Sequence, residues 1–222
     1  VPPVNGNGPE IVHVHKVFNV SFHSSFNAKG ETMNRFLLLC TILFCSGIVN
    51  AQRTIPLNIE QLVRDAGMIV EATIVKTETG KDPQSGLLVT WVTMEVNEPF
   101  YGAQKGQVTF KQYGGEADGL ANYPKHLPRY TAGERSILFL TAASSIGMQS
   151  PVGMQQGKFV VVTEGTTKTR IKNLTKNPSL FSNLTNRTVL EKRIPLSSDS
   201  DGSMDYQEFV SMLRTVVQQI KQ

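Results

Sequence analysis

Between residues 68 and 162 apolar side chains recur at alternate positions in run after run, a period of two that strands satisfy and helices do not. Met68, Val70, Ala72 and Ile74 share one face of the first run, with Glu71, Thr73 and Thr77 on the other. In the second run Leu88, Val92, Met94 and Val96 lie together, opposite Trp91, Thr93 and Glu95. In the third, 107–113, Val108 and Phe110 point inward while Thr109 and Lys111 point outward. Two later runs, 136–140 and 159–162, are apolar on both faces and read as fully buried strands. The stretch GKDPQSG at 80–86 is a turn by composition. Short strands joined by Gly-rich turns predict an antiparallel sheet closed into a small barrel, and closure would also remove unpaired edges.

Helices are expected only at the two ends. In PLNIEQLVRDAG, Asn58 is placed to cap a short helix carrying Leu62 and Val63, and Gly67 is placed to end it. At the other end Phe209, Met212, Leu213, Val216, Val217 and Ile220 recur at helical spacing, so 204–221 predicts an amphipathic helix whose stripe packs on the barrel. The fold class is therefore mainly β: a small antiparallel OB-like β-barrel at 52–163 with a short N-terminal helix. An irregular segment, 164–222, follows with a weak strand at 169–173 and ends in the C-terminal amphipathic helix. Residues 114–133 show neither period, and a loop of that length in a compact domain is uncommon and tends to be functional or mobile.

The location of the working protein is read from 33–51. Met33, Asn34 and Arg35 make a basic start, 36–49 is an apolar run broken at Ser46 and Gly47, and Val49-Asn50-Ala51 has the pattern that signal peptidase reads. The run is shorter than the roughly 20 residues a spanning helix needs, so no membrane span is expected. The expectation is a secreted protein, periplasmic or extracellular, with its signal cleaved after Ala51. Residues 1–32 read as a disordered upstream extension, Met33 being the true start; His13 and His15 alone do not close a metal shell. Both cysteines, Cys40 and Cys45, fall in the signal, so the exported domain has neither disulfide nor thiol. A domain on the order of 150 residues buries about 70% of its unfolded surface and needs no such staple. Glycosylation sequons at Asn173, Asn183 and Asn186 are taken as chance.

The order of a helix, then AGMIVEATIVKTET, then a long strand ending in EPFYGAQKGQVTF, then TAGERSILFL resembles the netrin-like OB-fold barrel of tissue metalloproteinase inhibitors. It is also similar to a broad set of secreted bacterial proteins. The resemblance covers 55–162, where Gly67, Tyr101, Gly102, Gly133, Leu138 and Leu140 match. It implies a fold and no activity. Those inhibitors set a disulfide-bonded cysteine at the mature N-terminus against the target's zinc, whereas this chain has Gln52 there.

Two stretches could carry chemistry. SSDSDGSMDYQE resembles the last calcium loop of calmodulin-like proteins. In that twelve-residue frame Ser197, Asp199, Asp201, Ser203 and Asp205 take positions 1, 3, 5, 7 and 9, Glu208 is the bidentate ligand at 12, and Gly202 makes the turn at 6. Ser197 lacks the first carboxylate, Pro195 disfavours an incoming helix, and no second loop exists. The bland alternative is a turn followed by a helix capped by Asp201 or Ser203. The other stretch is the long loop, where YPKHLPRY gathers Tyr123, Lys125, His126, Arg129 and Tyr130. His126 is the single histidine after residue 51, and no nucleophile elbow, HExxH or phosphate-binding glycine loop accompanies it. Tyrosines for stacking and cations for anions fit binding better than catalysis. A net charge of +4 does not demand nucleic acid. The reading is a secreted, non-catalytic interaction module without a resident cofactor. Lys125, His126, Arg129 and Tyr130 contact an extracellular or cell-envelope protein or glycan. The alternatives are a calcium-binding protein using the loop at 197–208 and a hydrolase of unrecognised type.

Overall fold

The computed structural model describes residues 55–165, 168–185 and 202–222, and the upstream extension and the export signal expected at 1–32 and 33–51 lie outside them. Its strands are β1 (Met68–Lys81), β2 (Leu88–Tyr101), β3 (Gly106–Tyr113), β4 (Gly115–Ala117), β5 (Leu120–Asn122), β6 (Arg135–Leu140), β7 (Lys158–Glu164), β8 (Lys168–Asn173) and β9 (Ser203–Asp205). Seven form one antiparallel sheet in the order β3-β2-β1-β6-β7-β8-β9, while β4 and β5 pair only with each other in the long loop. The fold is mainly β, as the alternation requires. Pairing does not stop at Thr163: β8 and β9 extend the same sheet.

Three register shifts along β1 and β2, at Ile69/Val70, Glu71/Ala72 and Ile74/Lys76, bend the long hairpin and increase its twist. Val70, Ala72, Ile74, Val92, Met94, Val96, Phe110, Leu138 and Leu140 then face one another on one side. Barrel closure, however, is not achieved. The second edge of β6 pairs with β7, so the sheet grows away from β3, and no ladder joins β3 to β9 among the described residues. Only a loop crosses back from β6 towards β3. Thr141 N donates to Ser150 O at 2.9 Å, and Gln149 N donates to Lys111 O at 2.8 Å. What buries the second face is a helical layer instead of a returning strand. Strand β7 is also less enclosed than its sequence suggests, since Phe159 is fully buried but Val162 is exposed.

Helices α1 (Ile59–Asp65) and α2 (Tyr206–Lys221) make that layer. A capping box opens α1: Asn58 Oδ1 accepts from Gln61 N at 2.9 Å, and Gln61 Oε1 accepts from Asn58 N at 2.8 Å. Its end differs from expectation. Ala66 is already extended and Gly67 is not left-handed; a Cβ on Gly67 would come within 2.6 Å of the Ala142 backbone, so close approach explains the glycine. Lys221, in the last turn of α2, donates to Arg64 O at 2.9 Å and Ala66 O at 2.8 Å, satisfying carbonyls that α1 leaves open. The stripe of α2 is buried as its spacing requires, with Phe209 on Phe159 at 4.9 Å between centroids and Phe159 on Phe139 at 5.6 Å. Each such side chain contributes about 1.5–3 kcal/mol on burial. Glu71, 1% exposed, pins α2 to β1 and β6: it accepts from Arg135 Nε at 2.6 Å and from the Tyr206 hydroxyl, which itself accepts from Arg135 Nη2 at 3.1 Å. Segment 175–185 straps across α1, where Asn177 Nδ2 donates to Leu57 O at 2.6 Å and Glu60 accepts from Thr185 N at 3.0 Å. Asn173 is buried with its amide donating to Gln156 O and Lys158 O, so that sequon has no free acceptor nitrogen.

Candidate loop-covered face

The long loop lies beside the β1–β2 hairpin. It enters through Gly115, where a Cβ would meet the Thr79 side chain at 2.2 Å and the Thr90 hydroxyl at 2.6 Å. Only a glycine lets the chain pass that close. Two buried polar side chains fix the far end. Gln112 on β3 donates from Nε2 to Pro128 O at 3.0 Å, and its Oε1 accepts from the Tyr130 hydroxyl at 3.3 Å. Lys158 on β7, 3% exposed, donates to Arg129 O at 2.5 Å and pairs with Glu134 at 2.8 Å, and its ammonium stands 4.6 Å from the Tyr130 ring centre. Three partners around one buried ammonium offset its desolvation. Among the described residues no buried side-chain nitrogen or oxygen lacks a partner.

Tyr130 is consequently a plug. It is 9% exposed and meets Phe110 edge-on at 5.5 Å, and burial first, then the Glu134 charge, pushes its phenol well above the ordinary tyrosine range. Its aromatic face points to the core rather than to solvent. Of the two tyrosines in YPKHLPRY the exposed one is Tyr123, 43% exposed, with the Arg129 guanidinium 4.0 Å from its ring centre. This pair borders a cavity of 130 Å³ lined also by Thr77, Thr79, Thr90 and Tyr113, with Tyr130 among its walls. His126 lines a different hollow of 210 Å³, beside Met154, Gln156 and Asn177. Lys125 is exposed between these neighbours. The four residues singled out in YPKHLPRY therefore split: Arg129 borders one cavity, His126 another, Lys125 is on the surface and Tyr130 is inside. A third hollow, 510 Å³, shares Tyr113, Pro124 and Leu127 with the first and adds Ala142 and Met148. Gln112 and Lys158 were not legible as site residues. Their sole signal is a polar residue at a strand position whose neighbours are buried.

Of the calcium-loop residues, Ser197, Asp199 and Asp201 lie outside the described residues. Ser203 is buried in β9 and its hydroxyl accepts from Arg170 Nη2 at 2.7 Å; Asp205 caps α2, accepting from Glu208 N at 3.0 Å. Among the described residues no three acidic, histidine or cysteine side chains converge on a metal position, and no helix is long and apolar enough to cross a membrane. Compared with family models, curated proteins and solved structures, the chain matches none.

Proposed function

We propose that the protein works outside the cytoplasm as a non-catalytic binding module and that Tyr113, Tyr123 and Arg129, around the smallest of the three hollows, are its contact surface. Its partner on this reading is an extracellular or cell-envelope protein or glycan. One observation carries it: an exposed tyrosine–arginine pair is held by a carbonyl fixed to a buried lysine, so the surface is arranged before a ligand arrives. The signal read at 33–51 supports the location, and the separation of His126 from Arg129 favours binding over catalysis. Replacing Tyr123 and Arg129 together by alanine should abolish capture of partners from an array of envelope proteins and glycans and leave the melting temperature unchanged. Capture equal to wild type overturns the reading.

A second reading, calcium binding, has one observation in its favour. Gly202 is left-handed at φ 79° and is followed by the short strand Ser203–Asp205 and by Glu208 in the first turn of α2, the order a calcium loop has in its second half. The Arg170 guanidinium beside Ser203 opposes a cation there. Millimolar calcium should raise the melting temperature on this reading and fail to do so in Glu208→Gln; no rise in the wild type discards it.

A further inference from the structure

The cavity beneath Tyr123 has a donor and acceptor pattern that selects among ligand classes. A hydroxyl has one proton and two lone pairs. Thr90 Oγ1 donates to Gly114 O at 2.7 Å, so in its 3.1 Å contact with Thr79 Oγ1 it must accept, and Thr79 is the donor. Both lone pairs of Thr79 are then left for an incoming donor. Tyr113 accepts from Asn122 Nδ2 at 2.7 Å and keeps its own proton to give. Tyr130, with its hydroxyl on Gln112, closes part of the wall, and Tyr123 is an aromatic exposed at its rim. Arg129 contributes donors alone, in a planar fork that suits a carboxylate.

From these features we infer that the cavity takes one acidic sugar residue, a uronate unit of an extracellular glycan. The inference rests on the reading of this face as the contact surface. A pyranose supplies what the walls lack: hydroxyl donors for Thr79, an acceptor for Tyr113, a C–H face for the exposed Tyr123 ring, and a carboxylate for Arg129. At 130 Å³ the space is below the roughly 300–1,000 Å³ of sites for drug-sized molecules, so it holds a single ring of a longer chain. A peptide carboxy terminus would satisfy Arg129, but its apolar side chain would leave the Thr79 lone pairs and the Tyr113 proton unpaired. Phosphate fits less well, because one guanidinium without a nest of backbone N–H groups is a poor cradle.

Calorimetric titration of the full chain with a galacturonate trimer and with a neutral galactose trimer tests this. The acidic trimer should bind saturably and the neutral one about tenfold more weakly, the worth of one charge-assisted pair. Arg129→Gln should weaken the acidic trimer by about tenfold and the neutral one by less than about twofold, and Thr79→Val should weaken both by roughly threefold, its lost bond to Thr90 lowering the melting temperature slightly. The assignment fails if neither trimer binds, if both bind equally, or if Arg129→Gln binds the acid as well as wild type does. The two readings separate in the array. Without sugar binding, capture that depends on Tyr123 and Arg129 leaves the contact surface standing and removes only the sugar; capture indifferent to both residues removes both.

Discussion

The two faces of the sheet are buried by different means. On the helix-covered face Phe139, Phe159 and Phe209 stack in sequence, and the buried polar groups are locked in pairs and clusters, chief among them Glu71, Arg135 and Tyr206. On the loop-covered face the lid is irregular chain, held by Gln112, Tyr130 and Lys158, with hollows beneath and beside it. A helix satisfies its own backbone and offers a continuous apolar stripe, so it seals a sheet. A loop must borrow partners for its carbonyls, here Gln112 for Pro128 and Lys158 for Arg129. The continuous apolar packing therefore lies on one face of the sheet and the hollows on the other.

Substitutions on the two faces should differ in kind, and the largest effect belongs to the helix side. Phe209→Ala removes the ring that joins α2 to β7 and should cost about 4 kcal/mol in urea titration; a loss under about 1 kcal/mol would mean that α2 is an ornament. Lys158→Met leaves Glu134 with the Ser136 hydroxyl as its remaining partner and frees Arg129 O, and a loss of about 2 kcal/mol is expected, with faster proteolytic nicking inside 114–133 while α2 stays intact. Tyr206→Phe removes one hydroxyl from the Glu71 cluster and should cost about 1–2 kcal/mol near neutral pH. The same residue makes a pH test. Burial first, then the hydrogen bond to Glu71, raises the Tyr206 phenol to about 12 from 10.0. The folded state therefore keeps a proton that the unfolded chain loses, so this stabilisation is whole below pH 10 and disappears as pH climbs through 12. Tyr130 shifts in the same direction, which leaves the difference between wild type and Tyr206→Phe as the quantity to follow, and that difference should shrink above pH 10. The smallest effect is Arg129→Ala, below about 0.5 kcal/mol, because its side chain is exposed; a larger loss would erase the contrast between the faces.

Local pattern revealed the strands and not their closure. Alternation located β1, β2 and β3, continuous apolar runs located β6 and β7, and helical spacing located α2, because each depends on which side chains face inward along one stretch of chain. Whether β6 pairs next with β7 or returns to β3 depends on contacts far apart in sequence, which no local period records, and the expected barrel was lost there. Within the loop, composition marked YPKHLPRY as unusual but did not tell Tyr123 from Tyr130. The two differ because Gln112 and Phe110, on the strand that leads into the loop, receive one ring and not the other, and that depends on how the loop folds back. Lys158 was missed for a related reason: a lysine beginning a strand looks solvated until Glu134 and Arg129 O are brought to it.

Native-state amide hydrogen exchange tests the division between the faces most directly. The account predicts that Leu127 and the amides of the β4–β5 hairpin open at free energies at least about 2 kcal/mol below the global value, while those of β6 and α2 exchange only through complete unfolding. Equal protection on both faces, or an α2 that opens before the loop, would contradict it.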